Sequence, residues 1–141
     1  VGEFHPVDPG YSFSIVRSAE NWTLPIAVRG LPAADVAAAM AVQRGGVALK
    51  FDPALNPRDY GGHQVVLRFS SKRGRVQDAC MIDVDEPEPV NGADLFANGA
   101  LCRGDRSMTA AWGKLGKSTG PDDDRIPALL RQLAITLFPT R

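Results

Sequence analysis

His63 is the residue best suited to acid–base chemistry, because the other histidine, His5, lies in a loop-like N-terminal segment. An imidazole changes charge near neutral pH and can act as a general base when a carboxylate orients it. Asp83 or Asp85 could supply that carboxylate if a hairpin placed it beside His63. These residues define a hydrolase-like hypothesis, whereas a partly exposed structural histidine is the interpretation that the sequence favours.

A basic cluster follows the most regular strand pattern of the chain. Its members are Lys72, Arg73 and Arg75, and Arg103 with Arg106 could join them. Guanidinium groups bind phosphates and carboxylates with paired hydrogen bonds, so the cluster could hold an anion or a small acidic ligand. An ordinary solubilising turn often carries the same kinds of residue, and three charges within four positions are few for an anion-binding site.

Two other motifs lack the pattern that their chemistry requires. One proline-punctuated loop is acidic, with Asp83, Asp85, Glu86 and Glu88. A calcium loop needs a glycine turn and a fixed ligand spacing, and this segment has neither. Residues 116–118 read Gly-Lys-Ser like the end of a phosphate loop, but Ala111 stands where the first glycine belongs. We therefore expect no metal site and no cofactor.

The chain has two cysteines, Cys80 and Cys102. Cys80 shares parity with Ile82 and Val84 in a strand-like run, so it is expected to point inward or toward a neighbouring strand. A disulfide would join a predicted first hairpin, formed by residues 63–70 and 75–84, to a predicted second one, formed by residues 100–106 and 107–115, and would close a loop of about 22 residues. Two buried thiols, or a metal-binding or redox pair, are the alternatives, although the spacing is far too wide for a CxxC motif.

Periodicity along the chain predicts the secondary structure. Strand-like runs cover residues 12–17, 22–29, 47–51, 63–70, 75–84, 100–106 and 107–115. Helical patterns cover residues 33–42 and the segment after residues 122–124, where three aspartates can cap the free amides. Hairpin-like strands with two amphipathic helices predict an α+β fold, a mainly antiparallel sheet with two helices packed on one face.

Local signals refine this order. Pro25 lacks an N–H, so the strand at 22–29 is expected to be an edge strand or a bent one. Residues 63–70 should form a first hairpin with 75–84, and residues 94–98 a helical turn. Alternation along 63–70 puts one set of side chains on the core face and Gln64 and Arg68 on the other.

Composition narrows the function classes. The 141 residues are 44% hydrophobic and 23% charged, and 16 basic residues balance 16 acidic ones. A nucleic-acid partner is not expected, because affinity for a phosphate backbone depends on excess cations. No run approaches the ~18 apolar residues of a membrane span. Because the chain opens on Val1, we expect a processed or truncated product. Residues 1–10 are expected to be a flexible segment that could be vector-derived, and residues 11–141 one globular domain.

Several short motifs carry a resemblance. They are residues 30–32 (Gly-Leu-Pro), 65–69 (Val-Val-Leu-Arg-Phe), Cys80, 101–106 (Leu-Cys-Arg-Gly-Asp-Arg), 131–133 (Arg-Gln-Leu) and 137–139 (Leu-Phe-Pro). On these residues the chain resembles small proteobacterial envelope proteins, many of them predicted lipoproteins, that have no assigned activity. The resemblance implies an envelope location and paired cysteines, and it implies no reaction.

Three functional hypotheses follow. The leading one is a non-catalytic envelope domain that docks onto an envelope protein or a cell-wall component through an open sheet edge or the sheet face away from the helices. The second is an anion-binding module built on Lys72, Arg73 and Arg75, and the third is the enzyme built on His63. We expect the chain to be periplasmic, or membrane-anchored and facing the periplasm.

Overall fold

The computed structural model of the chain describes residues 2–4, 23–44, 46–72, 79–81 and 88–138. Its strands are β1 (Gly2–Phe4), β2 (Thr23–Arg29), β3 (Val42–Arg44), β4 (Val47–Asp52), β5 (His63–Ser70), β6 (Leu95–Arg103) and β7 (Arg106–Leu115). Its helices are α1 (Ala33–Met40) and α2 (Ile126–Leu137), and a short 3₁₀ helix, Pro57–Tyr60, leads into β5.

The described strands form one sheet in the order β1-β7-β6-β5-β2-β4-β3. Four neighbouring pairs are antiparallel, namely β1 with β7, β7 with β6, β6 with β5 and β4 with β3. β2 runs parallel to both of its neighbours, β4 and β5. The two helices contact each other and pack on strands of the sheet. The predicted α+β fold, with a mainly antiparallel sheet and two helices on one face, is confirmed.

The helices close over the main core. The five apolar residues of α2 at the i, i+3, i+4, i+7 and i+11 positions of one helical stripe are all buried: Ile126, Leu129, Leu130, Leu133 and Leu137. Each buried aliphatic side chain contributes about 1.5–3 kcal/mol relative to an exposed one, so this stripe is the principal anchor of α2. From β5, Val65 and Leu67 meet the same core and have no exposed area.

α1 is shorter than the sequence predicts. Its Ala-rich stretch ends at Met40 because Ala41 has an extended backbone, and Val42 already belongs to β3. Pro32 is the residue that caps the helix rather than its first helical residue. Gly30 makes the turn from β2 with φ +97°, and a side chain there would collide with the Phe69 carbonyl, so the tight entry into α1 depends on glycine.

The prediction of an edge position for β2 is wrong, because β2 lies inside the sheet. Its residues 23–25 pair with β4, and its residues 26–29 pair with β5. Pro25 stands where the strand exchanges one neighbour for the other. A residue without an N–H is tolerated there because it ends one ladder just before the other begins.

The predicted first hairpin is also wrong. β5 pairs with β6 along its whole length and with β2 over residues 65–68, so no side of that stretch is left for residues 75–84. Of that segment the structure describes residues 79–81, where Ala79 and Cys80 form a turn. The predicted second hairpin is confirmed, with β6 and β7 joined at Gly104 and Asp105.

The strand pairing corrects two further predictions. Residues 95–98 belong to β6 rather than to a helical turn, because they pair with both β5 and β7. Gly2–Phe4 form β1 on the β7 edge, although they were expected to belong to a flexible segment. The strand predicted at 12–17 lies outside the described residues.

Candidate functional site

The described basic residues that could bind an anion lie at opposite ends of β5. Lys72 is exposed just beyond the Ser70 end of β5, whereas Arg103 pairs with His63 at the opposite end and Arg106 with Arg103. The seven steps of β5 between those ends span about 23 Å at 3.3 Å per residue. Arg73 and Arg75 lie outside the described residues. Arg103 and Arg106 therefore cannot extend an anion site built around Lys72.

His63 has a structural hydrogen bond. The side chain is buried, and its Nδ1 lies 3.0 Å from the Tyr60 carbonyl oxygen. A carbonyl oxygen can only accept, so Nδ1 carries the proton in this contact. Asp83 and Asp85 lie outside the described residues, and the pairing of either with His63 stays a prediction. The described residues contain no group of three or more potential metal ligands.

The predicted disulfide between Cys80 and Cys102 is present, with the two Cα atoms 5.7 Å apart. Two free thiols and a metal pair are thereby both excluded. The bridge does not join two hairpins, as the sequence suggested. It ties the turn at residues 79–81 to β6, because Cys80 lies in that turn and Cys102 in the strand.

The bridge lies in a small second core on the sheet face away from the helices, which we call the back cluster. Its buried members are Val66, Ala79, Cys80, Ala100, Cys102 and Ala110. The turn at 79–81 therefore covers the middle of a face that was expected to be free for docking. The small alanines of β6 and β7 let the turn approach the sheet closely.

Arg68 holds the same turn from β5. The sequence assigns it to the polar face of the strand, yet it is only 2% exposed. Its Nε donates to the Ala79 carbonyl at 2.9 Å, and its Nη2 donates to the Met81 carbonyl. A guanidinium can reach both carbonyls because its donors form a planar fork. Arg68 thus supports the back cluster and is not part of an exposed basic surface.

The helix side of the molecule carries the cavity that we call the interhelix groove. It has a volume of about 230 Å³ and lies between the start of α1 and the loop that leads into α2. Its apolar lining is Leu31, Pro32, Val36, Ala39, Pro121, Ile126, Pro127 and Leu130. Such an apolar lining with few polar groups is typical of a binding groove.

Carboxylates surround this lining. Asp35, Asp122 and Asp124 are exposed at the groove, whereas Asp123 is 5% exposed. The described residues contain two salt bridges, from Lys114 to Asp94 and from Arg125 to Asp123. The three exposed carboxylates therefore present negative charge to whatever enters the groove, although the charge of Asp124 also acts on Arg125.

Asp123 fastens the loop before α2. Its carboxylate accepts hydrogen bonds from Arg125 Nη2 at 2.8 Å and Nε at 3.0 Å, from the Arg125 backbone N–H at 3.0 Å and from the Thr119 N–H at 3.2 Å. The side-chain bonds from Arg125, followed by its backbone bond, hold the pKa of Asp123 well below its usual range. Asp123 is therefore a charged structural tie and does not exchange protons near neutral pH.

We expect Asp123→Asn to lower the thermal unfolding midpoint at neutral pH by an amount that shrinks in acid. A depressed folded-state pKa stabilises the fold above the unfolded pKa of about 3.9, and this contribution is lost as the pH falls through the lowered value. Thermal melts of the parent and variant from about pH 7 to about pH 2 measure the difference. Asp122→Asn is the matched control, and a gap for Asp123→Asn that stays constant with pH would contradict the assignment.

Sequence reasoning predicted residues 122–124 as helix-capping aspartates and missed the groove. The capping role is met in part, since Asp123 accepts the N–H of Arg125, the residue that precedes α2. The available signal was Asp35 in the first turn of α1 together with this aspartate run. Nothing in the spacing of the two segments shows that both helices begin beside one cavity.

In comparisons with family models, curated proteins and solved structures the chain has no match. None of the helices in the described part of the chain is long and apolar enough to cross a membrane. The arguments about function therefore start from the groove, the disulfide and the buried polar groups.

Proposed function

We propose that this chain is a non-catalytic domain of the bacterial envelope that docks onto another protein through the interhelix groove. The observation that carries the proposal is the combination of an apolar lining with three exposed carboxylates, Asp35, Asp122 and Asp124. Burial of such an apolar surface against a partner lowers the free energy of the complex, because the surface is removed from water. The carboxylates select a partner that brings positive charge.

The buried polar side chains support a non-catalytic role. Asp123 is bound by Arg125, Arg68 by two backbone carbonyls, and His63 Nδ1 by the Tyr60 carbonyl. A general acid or base needs to reach a substrate atom at hydrogen-bond distance. Each of these contacts instead fixes a loop or a turn of the fold. The enzyme hypothesis therefore has no support from the described residues.

The disulfide supports an extracytoplasmic address. Structural disulfides persist in oxidising compartments and are rare where thiols are kept reduced. The resemblance to proteobacterial envelope proteins makes the periplasm, with or without a membrane anchor, the compartment that we propose. The docking partner is then an envelope protein that offers a basic segment, since an anionic glycan or a nucleic acid would be repelled by the carboxylates at the groove.

A peptide of alternating lysine and leucine serves as the probe for this proposal. We expect it to bind the intact chain in low salt and to weaken as salt rises, because screening reduces the attraction to the exposed carboxylates. Fluorescence anisotropy of the labelled peptide measures the dissociation constant. The corresponding peptide of alternating glutamate and leucine should not bind.

Two substitutions on neighbouring residues locate the binding surface. Ala39 lines the groove and Ala38, exposed on the same helix, does not. We expect Ala39→Gln to weaken probe binding by about tenfold and Ala38→Gln to leave it within about twofold. No binding of the lysine–leucine probe, or an equal effect of the two variants, would overturn the proposal.

A further inference from the structure

We infer that the segment bound by the groove is extended and bipolar, with a basic side chain at one end and an acidic side chain about three residues away. This inference rests on the proposed docking function and specifies the partner's charge pattern. Its starting point is that the interhelix groove continues along α2 into a second, more open depression.

The two depressions are continuous. Ala39, Asp124 and Pro127 line both of them. The second depression continues over Ala128 and reaches Arg131 and Gln132 farther along α2. A chain lying in the groove would therefore pass from the start of α2 toward its second turn without leaving the surface.

The charges at the two ends are opposite. Asp122 and Asp124, in the loop just before α2, line the first depression together with Asp35 of α1, whereas Arg131 is the cation at the far end of the second depression. Arg131 is exposed, and the salt bridges among the described residues do not involve it. A partner with positive charge alone would meet repulsion at Arg131. One with an acidic side chain there would gain a paired guanidinium–carboxylate contact.

The spacing fits an extended peptide. Asp124 and Arg131 line the same depression: the five helical steps from Ile126 to Arg131 advance about 7.5 Å at 1.5 Å per residue, and the turn that carries Asp124 before α2 adds a few ångströms. An extended chain advances about 3.3 Å per residue, so three residues cover that separation. The expected pattern is therefore Lys-x-x-Glu or Glu-x-x-Lys with apolar residues between the charges.

Three labelled peptides of matched apolar content test the pattern on the full chain: one with Lys and Glu three residues apart, one with Lys and Glu adjacent, and one with Lys at both charged positions. We expect the parent chain to prefer the three-residue spacing by about tenfold over either alternative. Arg131→Glu should reverse the preference between the bipolar and all-lysine peptides. Arg58→Glu, an exposed charge reversal on the 3₁₀ helix, should not.

The outcomes separate this inference from the docking function. If the all-lysine peptide binds in an Ala39→Gln-sensitive way but the spacing has no effect and Arg131→Glu changes nothing, the bipolar pattern is wrong and docking stands. If none of the peptides binds, or if Ala39→Gln does not change their binding, both the docking function and the bipolar pattern are wrong. Reversal by Arg131→Glu with the Arg58→Glu control unchanged supports the bipolar partner.

Discussion

Replacing Cys80 and Cys102 together by alanine is expected to lower the free energy of unfolding by about 3 kcal/mol. The bridge spans a sequence separation of 22 residues. Cross-linking a loop of that size restricts the unfolded chain, and the folded chain loses little because both residues are already held in the back cluster. Alanine is preferred to serine, since Cys102 has no exposed area and a hydroxyl there would be buried.

Urea unfolding of the oxidised parent and the double variant measures this difference. The reduced parent should unfold near the midpoint of the double variant, and reductant should leave the variant unchanged. Coincident midpoints for the oxidised parent and the double variant would show that the bridge does not stabilise the fold. A change in the denaturant slope would point to the unfolded state as the place where the bridge acts.

We expect Arg68→Leu to cost about 3 kcal/mol, an effect of the same size with a different origin. Arg68 donates to the carbonyls of Ala79 and Met81 from a buried position. Hydrogen bonds from a charged donor contribute about 1.5–3 kcal/mol each, and the substitution leaves two acceptors without it. Arg29, the register partner of Arg68 on β2, is exposed, so Arg29→Leu is the matched control with an effect within about 0.5 kcal/mol.

Combining the two changes gives a sharper result. Arg68 and the disulfide hold the same turn at residues 79–81, so removing the second tie should cost less once the first is gone. The expected coupling free energy is about 1 kcal/mol or more in a cycle of urea unfolding measurements. Strictly additive effects would show that Arg68 and the bridge support different parts of the fold.

The sequence predicts those elements whose pattern is local. The apolar stripe of α2, the alternation along β5 and the β6–β7 hairpin each follow from residues close together in the chain. The position of β2 was mispredicted because Pro25 is normally excluded from interior strands. Here the change of neighbour beside it makes the residue acceptable.

The candidate site is formed by segments that are distant in the sequence, and local sequence patterns do not predict which distant segments meet. Alternation puts Arg68 on the face away from the main core, but it does not show that residues 79–81 cover that face. The lining of the interhelix groove brings Asp35 together with residues 121–124, which lie far away in the sequence. Burial and charge at such a site are properties of the assembled fold. The cysteines were predictable because a bridge needs only two residues of one type.

The exchange of neighbours along β2 leaves only a short ladder between the two parts of the sheet. The β3–β4 hairpin joins the described sheet through residues 23–25 of β2, and one of those three, Pro25, has no amide hydrogen to contribute. β5, β6 and β7 are joined by much longer ladders. Amide protons of β3 and β4 should therefore exchange with solvent through a partial opening that leaves β5–β7 protected. Such an opening would loosen α1, which packs on β4, and with it one wall of the interhelix groove.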